Sequence, residues 1–350
     1  MLVLFLTDPA PDYLADQVFI GLGRVLGHNH VIDFPSKPAY HDPQQQVHYI
    51  PQVPAHGYRE EDVMGLLRER RFDLAVLSSP RAGVIKVWES LHSRMVLPPT
   101  VLIDGEDDSR LRTTMWQQIG AAAYFKRELR VESGLRWGTR RRRNRLYPLP
   151  LSVVVEQVPQ SGAAVRDLDV SYAARVSHPK RKQAADLLAQ IPGIRFEGGV
   201  FAEPTDRQSK LMTGWPRLWA KLRGDPPVTV AQQGIKLPPP AYYDLLARSK
   251  MALCVRGGGY DTLRYWEVPA THTLLLAEQP DIEIPDNFVH GEQALFFKPD
   301  LSNLADLVQT YANDERRCKE MARKGHEQLL RYHTCERRAA YLLDICRRIV

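Results

Sequence analysis

Strand-like and helix-like stretches alternate along the first third of this chain, stop, and then alternate again. The first series opens with "LVLFLT", which reads as a strand, followed by helical periodicity over residues 12 to 26. The strand-like runs "HVIDF", "FDLAVLSS", "TVLIDG" and "AAAYFK" follow, with "EEDVMGLLRERR" and "IKVWESLHSRM" reading as helices between them. Strands that alternate with helices cannot pair as hairpins. They require crossovers, and the result is a parallel, doubly wound α/β sheet. A Pro- and Gln-rich stretch over about 35 to 58 interrupts this pattern and is long enough to act as a lid or binding loop.

The alternation breaks over about 128 to 165, where arginines, small polar residues and the prolines of "YPLPL" gather, and we place a domain boundary there. It then restarts. "VSYAAR", "IRFEG", "KMALCV", "HTLLLAE" and "ALFFK" read as strands, and "PKRKQAADLLAQ", "PPAYYDLLARS" and residues 262 to 270 as helices. A charge-laced helical tail covers 301 to 349. Two α/β domains are therefore expected, 1–150 and 151–333, each Rossmann-like. In open parallel sheets ligands bind at the carboxyl ends of the strands, so the loops after strands are where chemistry is sought.

Several classes of function are made improbable by composition. No segment approaches the ~20 apolar residues of a membrane helix. "MLVLFLTD" has no basic start and too few apolar residues for a leader, and it reads as the first strand. Cys254, Cys318, Cys335 and Cys346 show no paired spacing, so reduced thiols in a cytoplasmic setting are expected and a zinc site is not. The formal charge of +6 is concentrated in Arg140 to Arg143 and Arg145. That run is either a solvated interdomain segment or a patch that attracts an anionic acceptor.

"RGGGYDTLRYWE", residues 256 to 267, follows a strand and opens a helix. Glycines let a backbone approach a ligand closely and can adopt positive φ, and a helix N-terminus favours an anion. Arg256, Gly257, Gly258, Gly259, Tyr260, Asp261 and Thr262 thus form a candidate phosphate cradle. Arg264 can complete it, stabilising charge as it develops on a leaving group. Glu267 lies one turn on, on the same face as Arg264, and can accept both hydroxyls of a ribose. The signature is no P-loop, because no Lys-Ser/Thr pair follows the glycines. The alternative is a plain glycine turn with a surface Arg–Glu pair.

"LARSKMALCVRGGGYDTLRYWEVPATHTLLL" resembles the donor-binding segment of CgeB-like and exostosin-like glycosyltransferases of the group-1 type. These families carry a Ser-Lys start, an apolar strand, a Gly-rich turn and Thr/Ser-x-Arg-x-x-Glu. The stretch from "HGEQALFFKPD" to "ERRAAYLL" is similar to their carboxyl-terminal part, and "DYLADQVFIGLGRVLG" and "LIDGEDD" more loosely to their amino-terminal part. The resemblance implies a GT-B fold, with two domains facing across a cleft and the second holding a nucleotide-sugar. It implies a closing helix, 334–350, packed back on the first domain, and no metal or other cofactor. It also implies that basic residues after the first strand of the second domain contact the donor diphosphate. Arg175, Lys180 and Arg181 are the candidates here, although a solvated helix start explains Lys180 and Arg181 as well. Retaining relatives have a glutamate eight residues before the helical one. Gly259 stands there in this chain, and "ATHT" replaces the usual small residue and glycine after the helix, so stereochemistry stays open.

In the first domain, Asp104 and Glu106 of "DGEDD" follow a strand. We expect a loop facing the acceptor, with one carboxylate as general base. A metal-binding pair and an acidic helix cap are the alternatives. Asp8 ends the first strand, and Asp12 can cap the helix that follows. Lys126 and Arg127 of "YFKREL" either line the cleft or sit on the surface. "GLGRVLG" imitates a dinucleotide fingerprint, but it lies in a helical stretch and its glycines are read as helix-packing residues. The expected function is transfer of a sugar from a nucleotide-sugar to a glycan, a protein or, less favoured, a nucleic acid. A non-catalytic nucleotide- or sugar-binding relative is the alternative.

Overall fold

The computed structural model describes residues 1–131, 143–159, 165–201 and 237–349. Most of the basic run, Arg140 to Arg142, lies outside them. The chain forms two compact units. Met1–Gln157, Asp281–Asn287 and Leu330–Val350 make the first, and Val158–Pro280 with Phe288–Leu329 the second.

The first unit is built on a six-stranded parallel sheet in the order β2-β1-β3-β4-β5-β6. Its strands are β1 (Val3–Leu6), β2 (Val31–Phe34), β3 (Leu74–Leu77), β4 (Thr100–Asp104), β5 (Ala123–Lys126) and β6 (Leu146–Pro148). The helices are α1 (Tyr13–Leu26), α2 (Pro38–His41), α3 (Glu60–Arg68), α4 (Ala82–His92) and α5 (Thr113–Ile119). β1, β3 and β4 are buried at every position, as expected for strands covered on both faces. Leu4, Leu6, Ile32, Leu77, Leu102 and Trp88 centre one of its apolar clusters. Besides α2, inside the stretch read as a loop, two elements escape the sequence reading. α5 is short and mostly polar, and only its Trp116 is buried. β6 follows the arginine run and ends in Pro148. It pairs only with β5, on the edge, where a proline costs no ladder bond.

The second unit holds a five-stranded parallel sheet, β11-β10-β9-β7-β8. These strands are β7 (Leu168–Arg175), β8 (Phe196–Phe201), β9 (Ser249–Cys254), β10 (Leu274–Glu278) and β11 (Ala294–Phe297). The helices are α6 (Pro179–Ala189), α7 (Pro239–Ala247), α8 (Leu263–Ala270), α9 (Leu304–Ala312) and α10 (Glu315–Tyr332). Val170, Leu253, Leu276, Leu295 and Phe297 from its strands pack with Ala184, Leu304, Val308 and Met321 from its helices.

Nothing in sequence marks 281–287 off from the second half, yet it joins the first unit. Arg130 pairs with Asp281, and the Glu283 N–H donates to the Leu129 carbonyl at 2.7 Å. The final helix, α11 (Cys335–Ile349), lies against α1. Gly21 is the reason it can lie so close: a Cβ there would stand 2.2 Å from the Cys335 carbonyl oxygen. Gly21, and Gly23 where a Cβ would meet His28, therefore serve packing, as the sequence reading has it, while Gly27 ends α1 at positive φ.

Two glycines should respond to alanine with opposite signs. Gly21→Ala places a methyl group onto a backbone oxygen that cannot yield cheaply, and stability should fall by about 1–3 kcal/mol. A methyl group added at Gly65 in α3 would meet nothing within 4 Å, so Gly65→Ala should raise stability by about 0.5–1 kcal/mol through helix propensity. Urea midpoints of the two variants and the parent check both signs.

Candidate functional site

In the second unit, four of the nominated residues converge where β7, β9 and β10 end. Arg181, on the first turn of α6, is buried. Its Nε donates to the Arg256 carbonyl at 3.0 Å and its Nη1 to the Arg175 carbonyl at 2.9 Å, so one guanidinium ties the end of β7 to the glycine turn. Gly257 makes room for it: a Cβ there would lie 3.0 Å from Arg181 Nη2 and 3.1 Å from Ser177 Oγ. Arg256 stacks over the Tyr260 ring at 4.2 Å. Its Nε is buried and has no hydrogen-bond partner.

Lys180 reaches across to Glu278 at the end of β10, and the Arg256 N–H points at the other oxygen of that carboxylate, 3.4 Å away. His178 caps α6 by accepting from the Lys180 N–H at 3.2 Å, which requires an unprotonated Nδ1. Burial, then Arg256 and Lys180, hold its pKa below the ordinary 6.5. Arg175, Lys180, Arg181 and Arg256 gather here, with the carboxylate of Glu278 paired to Lys180. Arg175 is exposed.

α8 carries the next part. Arg264 donates through Nη2 to the Ala173 carbonyl of β7, and its guanidinium lies near the Tyr172 and Tyr242 rings at 5.5 and 5.8 Å. Its Nε, too, is buried without a hydrogen-bond partner. Glu267 is 9% exposed; its two oxygens accept from the Tyr242 and Tyr243 hydroxyls at 3.0 and 3.1 Å. Burial, with Glu267 beside it, raises the Tyr242 pKa, so it remains a donor. Arg264 and Glu267 are thus no surface pair. Each carboxylate oxygen keeps a lone pair, so Glu267 can accept from a further hydroxyl. Asp261 is buried and accepts from Trp266 Nε1 at 2.7 Å, and Thr262 meets the Cys254 thiol at 3.3 Å. Both shape the turn.

The glycines differ from the expectation in one respect. None of Gly257, Gly258 and Gly259 is at positive φ. The Gly257 N–H donates to the Gly259 carbonyl at 2.9 Å, inside the turn, and is not turned out towards a ligand. The positive charge at the turn comes from the cationic side chains packed against it, and that amide is not free to add to it.

In the first unit the acidic loop after β4 is committed to structure. Asp104 is fully buried. Its Oδ1 accepts from Lys126 Nζ at 2.9 Å and the Glu106 N–H at 3.1 Å; its Oδ2 accepts from Arg112 Nη1 at 2.6 Å and from the Tyr124 hydroxyl. A carboxylate has about four acceptor directions, and here all are filled. Asp104 has none left for an acceptor hydroxyl, which argues against the role of general base expected of it. Glu106 accepts from Arg81 Nε at 3.0 Å and is partly exposed. Lys126 and Arg127 are buried in ion pairs with Asp104 and Asp107, and neither is a surface residue.

Sequence reasoning missed the partners. Tyr242, Tyr243 and Glu278 lie 25, 24 and 98 residues from the groups they bond. Glu278 alone left a signal, as a charged residue closing an apolar strand. In the first unit Asp33, at the end of β2, accepts from the Lys37 N–H at 2.6 Å and lies 3.1 Å from Nε2 of both His41 and His56. Those two histidines belong to the 35–58 loop, which this carboxylate pins down.

The folds of both units, and the likeness of the whole chain to solved glycosyltransferases, define the GT-B class of architecture. A family model described as "Glycosyl transferase-like" matches residues 181–344. HepE from Anabaena, solved in complex with UDP and glucose, is similar over 99% of both chains, with 13% identity and a TM-score of 0.61. A glycosyltransferase from Rickettsia africae shares 9% identity over 99% of this chain and 98% of its own, with a TM-score of 0.62. A sucrose-phosphate synthase from Thermosynechococcus elongatus shares 15% identity over 99% and 98%, with a TM-score of 0.57. No curated protein matches the chain. Among the described residues no helix is long and apolar enough to cross a membrane.

The loop anchor has a pH signature. Burial would raise the Asp33 pKa, but the His41 and His56 bonds and the Lys37 N–H lower it from 3.8 to about 2. The native state therefore holds the charged form more tightly than the unfolded chain does. The stabilisation, about 2–3 kcal/mol, is present above pH 3.8 and lost as pH falls towards 2. Asp33→Asn should flatten that part of the acid limb in urea-unfolding curves taken from pH 5 to 2.

Proposed function

We propose that this protein transfers a sugar from a nucleotide-sugar to a hydroxyl-bearing acceptor, with the donor held by the second unit. The carrying observation is a pair of buried guanidinium N–H groups, Arg256 Nε and Arg264 Nε, that have no hydrogen-bond partner. They lie on the turn and helix that follow β9, at the carboxyl end of a parallel sheet. Buried charged donors are costly to leave unpaired, and a diphosphate supplies oxygens for them. Glu267, presented by two tyrosine hydroxyls, offers acceptors for the ribose.

In the reaction the acceptor hydroxyl oxygen bonds to the anomeric carbon and gives up its proton, the bond from that carbon to the β-phosphate oxygen breaks, and negative charge grows on the departing diphosphate. Arg264, Arg256 and Lys180 supply positive charge where it grows. Cations fixed in a poorly hydrated site stabilise such charge better than water does, because they need no reorganisation. Side chains thus supply the countercharge, and activity is expected to persist in EDTA. Complexes of HepE with UDP and with UDP-glucose make a uridine diphosphate sugar the first donor to test. Within the glycosyltransferases, the run Thr262-x-Arg264-x-x-Glu267 favours the CgeB-like and exostosin-like group. The four thiols are unpaired and buried, which supports a reducing, cytoplasmic setting.

Calorimetry with UDP and UDP-glucose, followed by hydrolysis or transfer assays, tests the reading. Binding without any turnover would favour a non-catalytic relative; no binding of any nucleotide or nucleotide-sugar would overturn it. Glu267→Gln keeps the shape but removes the charge, and should weaken UDP about tenfold. An equal loss for UDP and for bare phosphate would remove Glu267 from ribose recognition.

A further inference from the structure

The pair Lys180–Glu278 is the feature of this site that donor binding alone does not explain. At the ends of β7, β9 and β10, Glu278 is a carboxylate paired directly with one of the cations, Lys180. An anion-binding site gains nothing directly from a buried anion. Glu278 is nevertheless held in place: its side chain is 2% exposed, its Oε1 is paired with Lys180, and its Oε2 faces the Arg256 N–H at 3.4 Å. Lys180 is placed differently. It sits one residue into α6, after the His178 cap, and its side chain is 17% exposed against 2% for that of Glu278. The same carboxylate is unsuited to sugar recognition, because a donor hydroxyl would have to displace Lys180 and enter a closed position.

Resting on the donor-site reading above, we propose that Glu278 is a built-in counter-ion that holds Lys180 in the empty site, and that an incoming nucleoside diphosphate competes with it for that lysine. Two consequences make this arrangement useful. With no ligand, Lys180, Arg181 and Arg256 would repel one another, and one buried carboxylate relieves that repulsion. After transfer, the nucleoside diphosphate must leave, and a carboxylate that recaptures Lys180 lowers its affinity and speeds its release, a step that limits many enzymes of this kind. Glu278 thus acts as a positioning residue, through Lys180, on both substrate binding and product release.

UDP titrations of the parent, Glu278→Gln and Lys180→Gln, with melting temperatures measured alongside, test the proposal. The parent titration comes first, with UDP and, should UDP not bind, with the other nucleoside diphosphates, the one that binds then serving in place of UDP below: if the parent binds none of them, the donor-site reading itself fails. If it does bind, Glu278→Gln should bind UDP and UDP-glucose about five- to tenfold more tightly, by the same factor for each, since a neighbouring negative charge has been removed. UDP release in stopped flow should slow correspondingly. Lys180→Gln should weaken UDP about five- to tenfold. This arm keeps the proposal open to refutation should Glu278→Gln fail to fold. Affinity unchanged or lower for UDP in Glu278→Gln overturns the counter-ion role. A loss confined to UDP-glucose overturns it in another way, by showing that Glu278 touches the sugar. Unchanged affinity in Lys180→Gln overturns it as well.

Discussion

Main-chain carbonyls at the ends of parallel strands need donors, and in the second unit arginines provide them. β7 is in register with β9 from Leu168 to Ser171 and with β8 from Val170 to Arg175, so its last residues run on beyond the β9 ladder. Arg264 donates to the Ala173 carbonyl, and Arg181 to the carbonyls of Arg175 and Arg256. An amide or hydroxyl donor would satisfy the same oxygens. Guanidinium groups satisfy them and also bring fixed positive charge to the end of the sheet where a parallel fold binds its ligands. The requirement for backbone hydrogen bonding and that of the proposed anion binding fall on the same side chains. This is why so many cations can be gathered here without large flexible losses: Arg181 and Arg264 are already held by one or two bonds before a ligand arrives.

The first unit uses its buried charges in the opposite way. Asp16, in α1, accepts from Lys37 Nζ, the Tyr40 and Tyr49 hydroxyls and the Asp12 N–H. Asp104 accepts from four donors on β5 and the loops and helix around it, and Asp33 fixes the 35–58 loop. Each carboxylate is closed by its own neighbours, which makes the loops at this end of the sheet well defined. Partly exposed groups such as Arg81 and Glu106, bonded to each other, are the ones still able to meet a ligand.

The difference between the units decides what could be read from sequence. Apolar strands buried on both faces are written locally, so β1, β3, β4, β9 and β10 were legible from a few residues each. α5, mostly polar, and β6, with its proline, carry no such local mark. Arg264 and Glu267 were legible because a glycine turn and a helix start are local signals. Their settings were not: Tyr242 and Tyr243 come from another helix, and Glu278 from another strand. For Asp104 the local signal misled. An acidic loop after a strand looks the same whether its carboxylate faces a substrate or is filled by Lys126, Arg112 and Tyr124, and only the tertiary structure separates the two.

Arginine and lysine divide the work of the proposed donor site according to what each can do. Arg181 and Arg264 satisfy strand carbonyls, a task that asks for several donors in a fixed plane, and a guanidinium that lets go of a carbonyl leaves a buried oxygen unpaired. They are therefore poor candidates for movement. Lys180 makes its bond to a side chain, from a flexible stem, and its side chain keeps some contact with solvent. Should a ligand take that ammonium, Glu278 still faces the Arg256 N–H, so the carboxylate is not left wholly without a donor. The charge proposed to move is thus the one whose departure the fold can tolerate, and the fixed charges are those on which the ends of the strands depend.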